Sequence, residues 1–148
     1  MMIKKLGCEH AEALTTLTFI SKVYWGYTKS QMDLWKKELT ITVDSFSEYQ
    51  FYGLIKENEI VGYYSYQIQK DHCYLDNLFI HPDYLHKGHG KLLVKDLHSR
   101  IQSLEKTHIY LYADPHAEGF YLKMGYQTVG QKTTAIKDRY LPIMTFYL

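Results

Sequence analysis

Cysteine is nearly absent: Cys8 and Cys73 are the only two, and without a C-x-x-C pair they found neither a disulfide framework nor a structural zinc site. A reducing, cytoplasmic setting is the expectation. Net charge is lacking as well, since 17 Lys and Arg face 16 Asp and Glu for a balance of +1. No global field then draws the chain onto nucleic acid or an anionic membrane. No apolar run approaches the roughly 18 residues of a spanning helix, and no lipidation motif stands at either end. Glu9, His10 and Glu12 interrupt what would have to be a secretory core behind Lys4 and Lys5, so no signal peptide is expected. There is no G-x-S-x-G elbow, and Cys73 reads as a small buried hydrophobe rather than a nucleophile. His81, His86 and His89 cluster without a carboxylate or thiol at ligand spacing, so no metal is expected. What is present is an ordinary globular composition of 148 residues, 46% hydrophobic and 22% charged, with room for one domain over 1–148.

The spacing predicts a strand at 2–6 and a helix over 9–21, where Ala13, Leu14, Leu17 and Ile20 share a face. An aromatic segment follows, and Ser30 is the expected cap of a second helix burying Met32, Trp35 and Leu39. Three antiparallel strands are expected at 49–56, 60–69 and 73–80, broken by the polar turns Glu57-Asn58-Glu59 and Lys70-Asp71-His72. Leu93, Leu97, Ile101 and Leu104 predict a helix over 89–104, and Ile109, Leu111 and Ala113 a strand after it. Asp114-Pro115 supplies a cap with proline at the first helical position for a short helix ending at Gly125. Two last strands, 126–132 and 141–148, are joined by a loop containing Arg139.

Chemistry begins where the third antiparallel strand, Leu75-Asp76-Asn77-Leu78-Phe79-Ile80, runs through His81-Pro82 into His86-Lys87-Gly88-His89-Gly90-Lys91 and a helix. Glycines let backbone amides approach an anion, and the unpaired amides of a helix N-terminus favour a phosphate, with pyrophosphate the natural guest. Glycine at such a turn also serves conformation alone. The Walker pattern fails, because Gly88 and Gly90 are separated by one residue and Lys91 precedes Leu92 rather than Ser or Thr. The dinucleotide fingerprint fails too: Leu93 stands where a third small residue is needed, and the strands look antiparallel.

Downstream lies Asp114-Pro115-His116-Ala117-Glu118-Gly119-Phe120-Tyr121-Leu122-Lys123-Met124-Gly125-Tyr126. With the glycine turn it resembles the GNAT acyltransferase family, whose motifs are Q/R-x-x-G-x-G/A and N-x-x-A-x-x-F-Y-x-x-x-G-F/Y. The resemblance is tight over 75–130 and rests elsewhere on the order of elements; the ends 21–27 and 139–144 look like a bacterial subset. It departs at Leu85, where Gln or Arg is usual, and at Asp114, which replaces Asn and keeps the capping oxygen but adds a negative charge. The resemblance implies an α+β fold: a mixed, mostly antiparallel, splayed sheet of six to seven strands flanked by about four helices.

It implies further that acetyl-CoA, the cosubstrate, lies between splayed strands at 73–80 and 108–113. Leu78, Phe79 and Ile80 then face the thioester, residues 86–91 its pyrophosphate, and Asp114, Ala117 and Phe120 complete the coenzyme site. A strand amide polarises the thioester carbonyl, and Tyr121 matches the tyrosine that protonates the leaving thiolate. Asp76, the nearest carboxylate in sequence, stands where polyamine-acetylating relatives carry a Glu acting through water; a role holding a loop stands beside that reading. The family's acceptor pocket falls on Tyr24, Trp25 and Tyr27, which suit a cation or an apolar body, and on Arg139, which suits a carboxylate or phosphate. Those aromatics serve equally as core or subunit-interface groups.

The expected function is transfer of acetyl to a primary amine of a small molecule or peptide by direct attack, in an enzyme that family habit allows to be a homodimer. A non-catalytic acyl-CoA-binding or sensor module is the alternative. Acetylation of an aminoacyl-tRNA would ask for a basic face that the charge balance does not supply.

Overall fold

Val61 to Tyr66 are buried without a break, as a strand must be when both of its faces are covered. They belong to β3 (Glu59–Gln69) in a computed structural model that describes residues 1–148. Before it come β1 (Met2–Leu6), α1 (Ala11–Tyr24), α2 (Lys29–Leu39), α3 (Ser45–Glu48) and β2 (Gln50–Lys56). After it come β4 (His72–Ile80), α4 (His89–Gln102), β5 (His108–Tyr112), α5 (Glu118–Lys123), β6 (Gln127–Thr133) and β7 (Tyr140–Tyr147). The strands form one seven-stranded sheet in the order β1-β2-β3-β4-β5-β7-β6. Pairing is antiparallel for β1–β2, β2–β3, β5–β7 and β6–β7, and parallel for β4–β5. This is the mixed, mostly antiparallel sheet expected, with five α-helices because a single turn, α3, adds to the four anticipated. No helix is long and apolar enough to cross a membrane.

The chain gathers into two compact units, Met1–Tyr66 with Asn77–Leu93 and Gln67–Asp76 with Val94–Leu148. In the first, α1 buries Leu14, Leu17, Thr18 and Ser21, an i, i+3, i+4, i+7 stripe. Leu14 and Leu17 join Leu6, Ile41, Phe51 and Tyr63 in one apolar cluster. The expected cap Ser30 is displaced by Thr28, whose hydroxyl accepts from the Gln31 amide at 3.2 Å while the Gln31 side chain accepts from the Thr28 amide at 3.0 Å. That reciprocal capping box needs Gln at the third helical position, which Thr28 has and Ser30, followed there by Asp33, lacks. The β2–β3 connection turns at Glu57 and Asn58, with φ of 51° and 65°, the doubly left-handed geometry that matches strand twist.

In the second unit the ladders set opposite Ile109 and Leu111 the side chains of Cys73, Phe146 and Met144. The same face includes the buried Leu75. Burial raises the Cys73 thiol to about 12, so it behaves as a hydrophobe and not as a nucleophile. The β4–β5 ladder comprises three residue pairs, His72↔His108 to Tyr74↔Tyr110. α4 contributes Val94, Leu97 and Ile101, each 0% exposed. Replacing Leu97 with Ala removes a side chain from a closed space and is expected to cost about 2–5 kcal/mol. Urea unfolding with an unchanged m-value and a lower midpoint is the result expected; an unchanged midpoint would contradict this packing.

Candidate active site

In the first unit, the end of β4 is fixed from both sides. The His81 amide donates to the Val61 carbonyl at 2.9 Å, and the Ser21 hydroxyl of α1 donates to the Ile80 carbonyl at 3.1 Å. A Cβ at Gly62 would stand 2.6 Å from Ile80 Cδ1 and 3.1 Å from the Phe79 carbonyl oxygen, so glycine lets β3 approach here without displacing either. Phe79 packs its ring 6.0 Å from that of Tyr63, and Leu78 is half-buried. A 3-10 turn over Pro82–Tyr84 follows, in which the His81 ring accepts from the Asp83 amide at 3.1 Å.

His86 and Gly88 then adopt φ of 60° and 81°. A Cβ at Gly88 would meet nothing within 4 Å, so glycine serves conformation there, whereas His86 holds a conformation that non-glycine residues adopt rarely. α4 begins at His89, and the Leu92 amide donates to the Gly88 carbonyl at 3.1 Å. The amides of His89, Gly90 and Lys91 precede that first helical bond, and left-handed residues interspersed before them make the concave amide arrangement that receives anions. His86, Lys87 and Lys91 are exposed around the turn. Lys56 and Lys87 set their ammonium groups 5.2 and 5.8 Å from the Tyr84 ring centre, and His89 Nδ1 donates to the Tyr84 carbonyl at 2.9 Å. Leu85, where the family usually has Gln or Arg, is half-buried and offers no side-chain donor.

The aromatic segment of this unit divides. Tyr24 and Trp25 meet edge to face at 5.0 Å and are exposed, 50% and 40%. Tyr27 instead turns back onto buried Trp35 of α2, edge to face at 4.8 Å.

In the second unit, Asp76 lies at the end of its β4 segment, half-buried, and accepts a hydrogen bond from the Tyr74 hydroxyl at 3.2 Å. Burial pushes the Asp76 carboxyl above its ordinary value, against a smaller downward pull from Tyr74. Tyr74 was not among the residues the sequence motifs singled out; its position two residues before Asp76 on one strand face is the signal that finds it. Its ring packs 5.0 Å from Tyr110 and 5.8 Å from Tyr112.

Asp114 caps the turn after β5 as expected, its Oδ1 accepting from the His116 amide at 3.0 Å and from His116 Nδ1 at 2.9 Å. Its Oδ2 stands 3.6 Å from Arg139 Nη2. The Arg139 side chain is 15% exposed, so the loop between β6 and β7 brings a mostly buried cation to the added negative charge. Ala117 and Phe120 are half-buried on the 3-10 turn Pro115–Ala117 and on α5. Tyr121 is the buried residue of α5, 6% exposed, with its ring 5.1 Å from Phe120 and 5.4 Å from Tyr126. Burial, with the Asp114 charge as a second cause, raises the Tyr121 hydroxyl far above its ordinary value. It therefore carries its proton at any working pH, as a proton donor to a thiolate must. His98 and the Tyr126 hydroxyl share a hydrogen bond of 2.8 Å, with the His98 ring stacked 4.2 Å from Phe146; burial lowers the His98 imidazole below its ordinary value and keeps it neutral.

A mostly antiparallel sheet with one short parallel ladder is the fold of the GNAT N-acetyltransferases. An acetyltransferase (GNAT) domain model matches residues 25–142, and the chain belongs to that family. No curated protein matches it in sequence. Among solved structures, the PaiA N-acetyltransferase of Thermoplasma acidophilum in complex with coenzyme A superposes with a TM-score of 0.79 at 20% identity, covering 99% of this chain and 98% of that one. An aminoglycoside 6'-N-acetyltransferase complexed with coenzyme A gives a TM-score of 0.73 at 19% identity over 99% and 97% of the two chains. The ribosomal-protein-S18-alanine N-acetyltransferase of Escherichia coli gives 0.76 at 15% over 99% and 92%. At these identities the likeness is one of fold.

Proposed function

We propose that this GNAT domain transfers the acetyl group of acetyl-CoA to a primary amine of a small molecule or peptide by direct attack. The amide-lined turn at 86–91, with left-handed residues at His86 and Gly88, carries the reading, since it suits a pyrophosphate. Leu78, Phe79 and Ile80 take the thioester end, and Asp114, Ala117 and Phe120 complete the coenzyme contacts. An attacking amine must be neutral, and Asp76 takes its proton directly or through water. The amine nitrogen bonds to the carbonyl carbon, the carbon–sulfur bond breaks, and Tyr121 gives its proton to the departing sulfur. Tyr24, Trp25 and Tyr27 line the acceptor side, and Arg139 supports it through the loop it anchors on Asp114. A cytoplasmic location and a homodimeric state belong to the same reading.

Thermal unfolding with saturating acetyl-CoA tests the donor site. At one hundred times the dissociation constant, binding adds about 2.7 kcal/mol, which raises the Tm by roughly 5–10 °C for a chain of this size. No shift would overturn the donor assignment. A shift without thiol release on any amine would favour a non-catalytic acyl-CoA-binding module, the reading that Leu85 and the Asp114 charge motivate.

A further inference from the structure

The seat formed by Tyr27 and Trp35 is already filled by the protein itself. Lys22, near the C-terminal end of α1, places its Nζ 5.3 Å from the Tyr27 ring centre and 5.0 Å from that of Trp35. Both lie inside the distance at which a ring face attracts a cation. The two rings stand at 85° to each other with centroids 4.8 Å apart, so they form a corner rather than a flat stack. Trp35 is 8% exposed, and a cation held there is partly withdrawn from water, where the attraction is stronger. The corner is held in place from behind. The capping box at Thr28 fixes the start of α2, and Ser21, the neighbour of Lys22, is tied to the Ile80 carbonyl at the end of β4.

We propose that Lys22 is a specificity-determining residue: its ammonium occupies the alkylammonium seat of Tyr27 and Trp35, and so the enzyme disfavours acceptors carrying a second positive charge. The inference rests on the acceptor side lying at the α1–α2 segment, as in the proposed function. A second ammonium arriving there meets both a filled seat and a like charge, whereas an acceptor with a neutral or anionic tail meets a fixed cation. The selection is therefore for monoamines and for amines bearing a carboxylate over diamines and polyamines.

The seat is tested without catalysis by titrating tetramethylammonium against Trp35 fluorescence, with Trp25→Phe in all three proteins so that Trp35 alone reports. The Lys22→Met variant is expected to bind the probe at least about tenfold more tightly than its Lys22 parent, and the Lys22→Arg variant to behave as the parent. Equal affinities would overturn the seat assignment. The selectivity is read as the ratio of kcat/KM for a diamine to that for a monoamine of equal length; it is expected to rise about tenfold in Lys22→Met and to stay unchanged in Lys22→Arg. An unchanged ratio in both, in an enzyme that does acetylate amines, would overturn the selectivity. Failure of every protein, parent included, to release thiol would count against the transferase reading while the fluorescence result still decides the seat. Lys22 is half-buried, so unfolding curves of each variant accompany the titrations, and Lys22→Arg keeps the test open should Lys22→Met not fold.

Discussion

Replacing Tyr121 with Phe is expected to lower kcat by about 10²-fold or more, the size of a lost general-acid contribution, while the dissociation constant for acetyl-CoA stays within about twofold. The split follows from position: the ring remains to pack against Phe120 and Tyr126, and only the hydroxyl is gone. Because burial holds the Tyr121 hydroxyl above its ordinary value, an alkaline limb from this group in the wild-type rate is expected only above about pH 10. Linkage gives a second signature. A tyrosine whose pKa is raised in the folded state favours folding fully below its unfolded value, near pH 10, and that contribution fades as pH rises toward the folded value. Tyr121→Phe therefore loses less stability than wild type between about pH 10 and the point of alkaline unfolding. Equal turnover of the two proteins with a good acceptor would remove Tyr121 from the chemistry.

Asp76→Asn is expected to depress kcat/KM by about 10²-fold near pH 7 and to approach wild type near pH 10, where a free alkylamine supplies its own neutral form. The same substitution should stabilise the fold. Burial raises the Asp76 carboxyl, so at neutral pH ionisation of this group opposes folding; the penalty is absent below the unfolded value near 3.9 and grows as pH rises through the folded one. The Tm difference between Asn and Asp variants should accordingly open with rising pH across the carboxylate range. A loop-holding role predicts the reverse, lost stability with a uniform loss of activity at every pH. Calorimetry alongside a pH–rate profile separates the two.

The elements of this fold are legible in the sequence because each is a local pattern. β-rich composition broken by polar turns in β2, β3 and β4 and the apolar spacing of α4 place the boundaries within a few residues, and Asp114 is recognisable as a cap from Asp-Pro alone. The cap is displaced from Ser30 to Thr28 because of what stands three residues on, Gln31 after Thr28 against Asp33 after Ser30. The rest is illegible for a physical reason: it depends on partners distant in sequence. Nothing near Arg139 announces that it stands 3.6 Å from Asp114, and nothing near Lys22 announces that Trp35, on the next helix, supplies a ring beneath its ammonium. Nor does a motif tyrosine declare its burial, although burial is the main cause of the raised Tyr121 hydroxyl. Tyr74 is within reach of the sequence, since strand alternation puts it on the face of Asp76.

The contact between Asp114 and Arg139 bears on how such a sequence can change. The family motif has a neutral Asn where this chain has a carboxylate, and here a guanidinium from a different loop stands against that carboxylate, both groups mostly buried. Replacing Asp114 with Asn removes the charge opposite the Arg139 guanidinium, and replacing Arg139 leaves the charge of Asp114 to act more strongly on Tyr121, which already feels it. The two substitutions are therefore expected to be non-additive in a double-mutant cycle. A motif search scoring each column independently therefore counts Asp114 as a defect, although in this chain the carboxylate is one half of a mostly buried ion pair with Arg139.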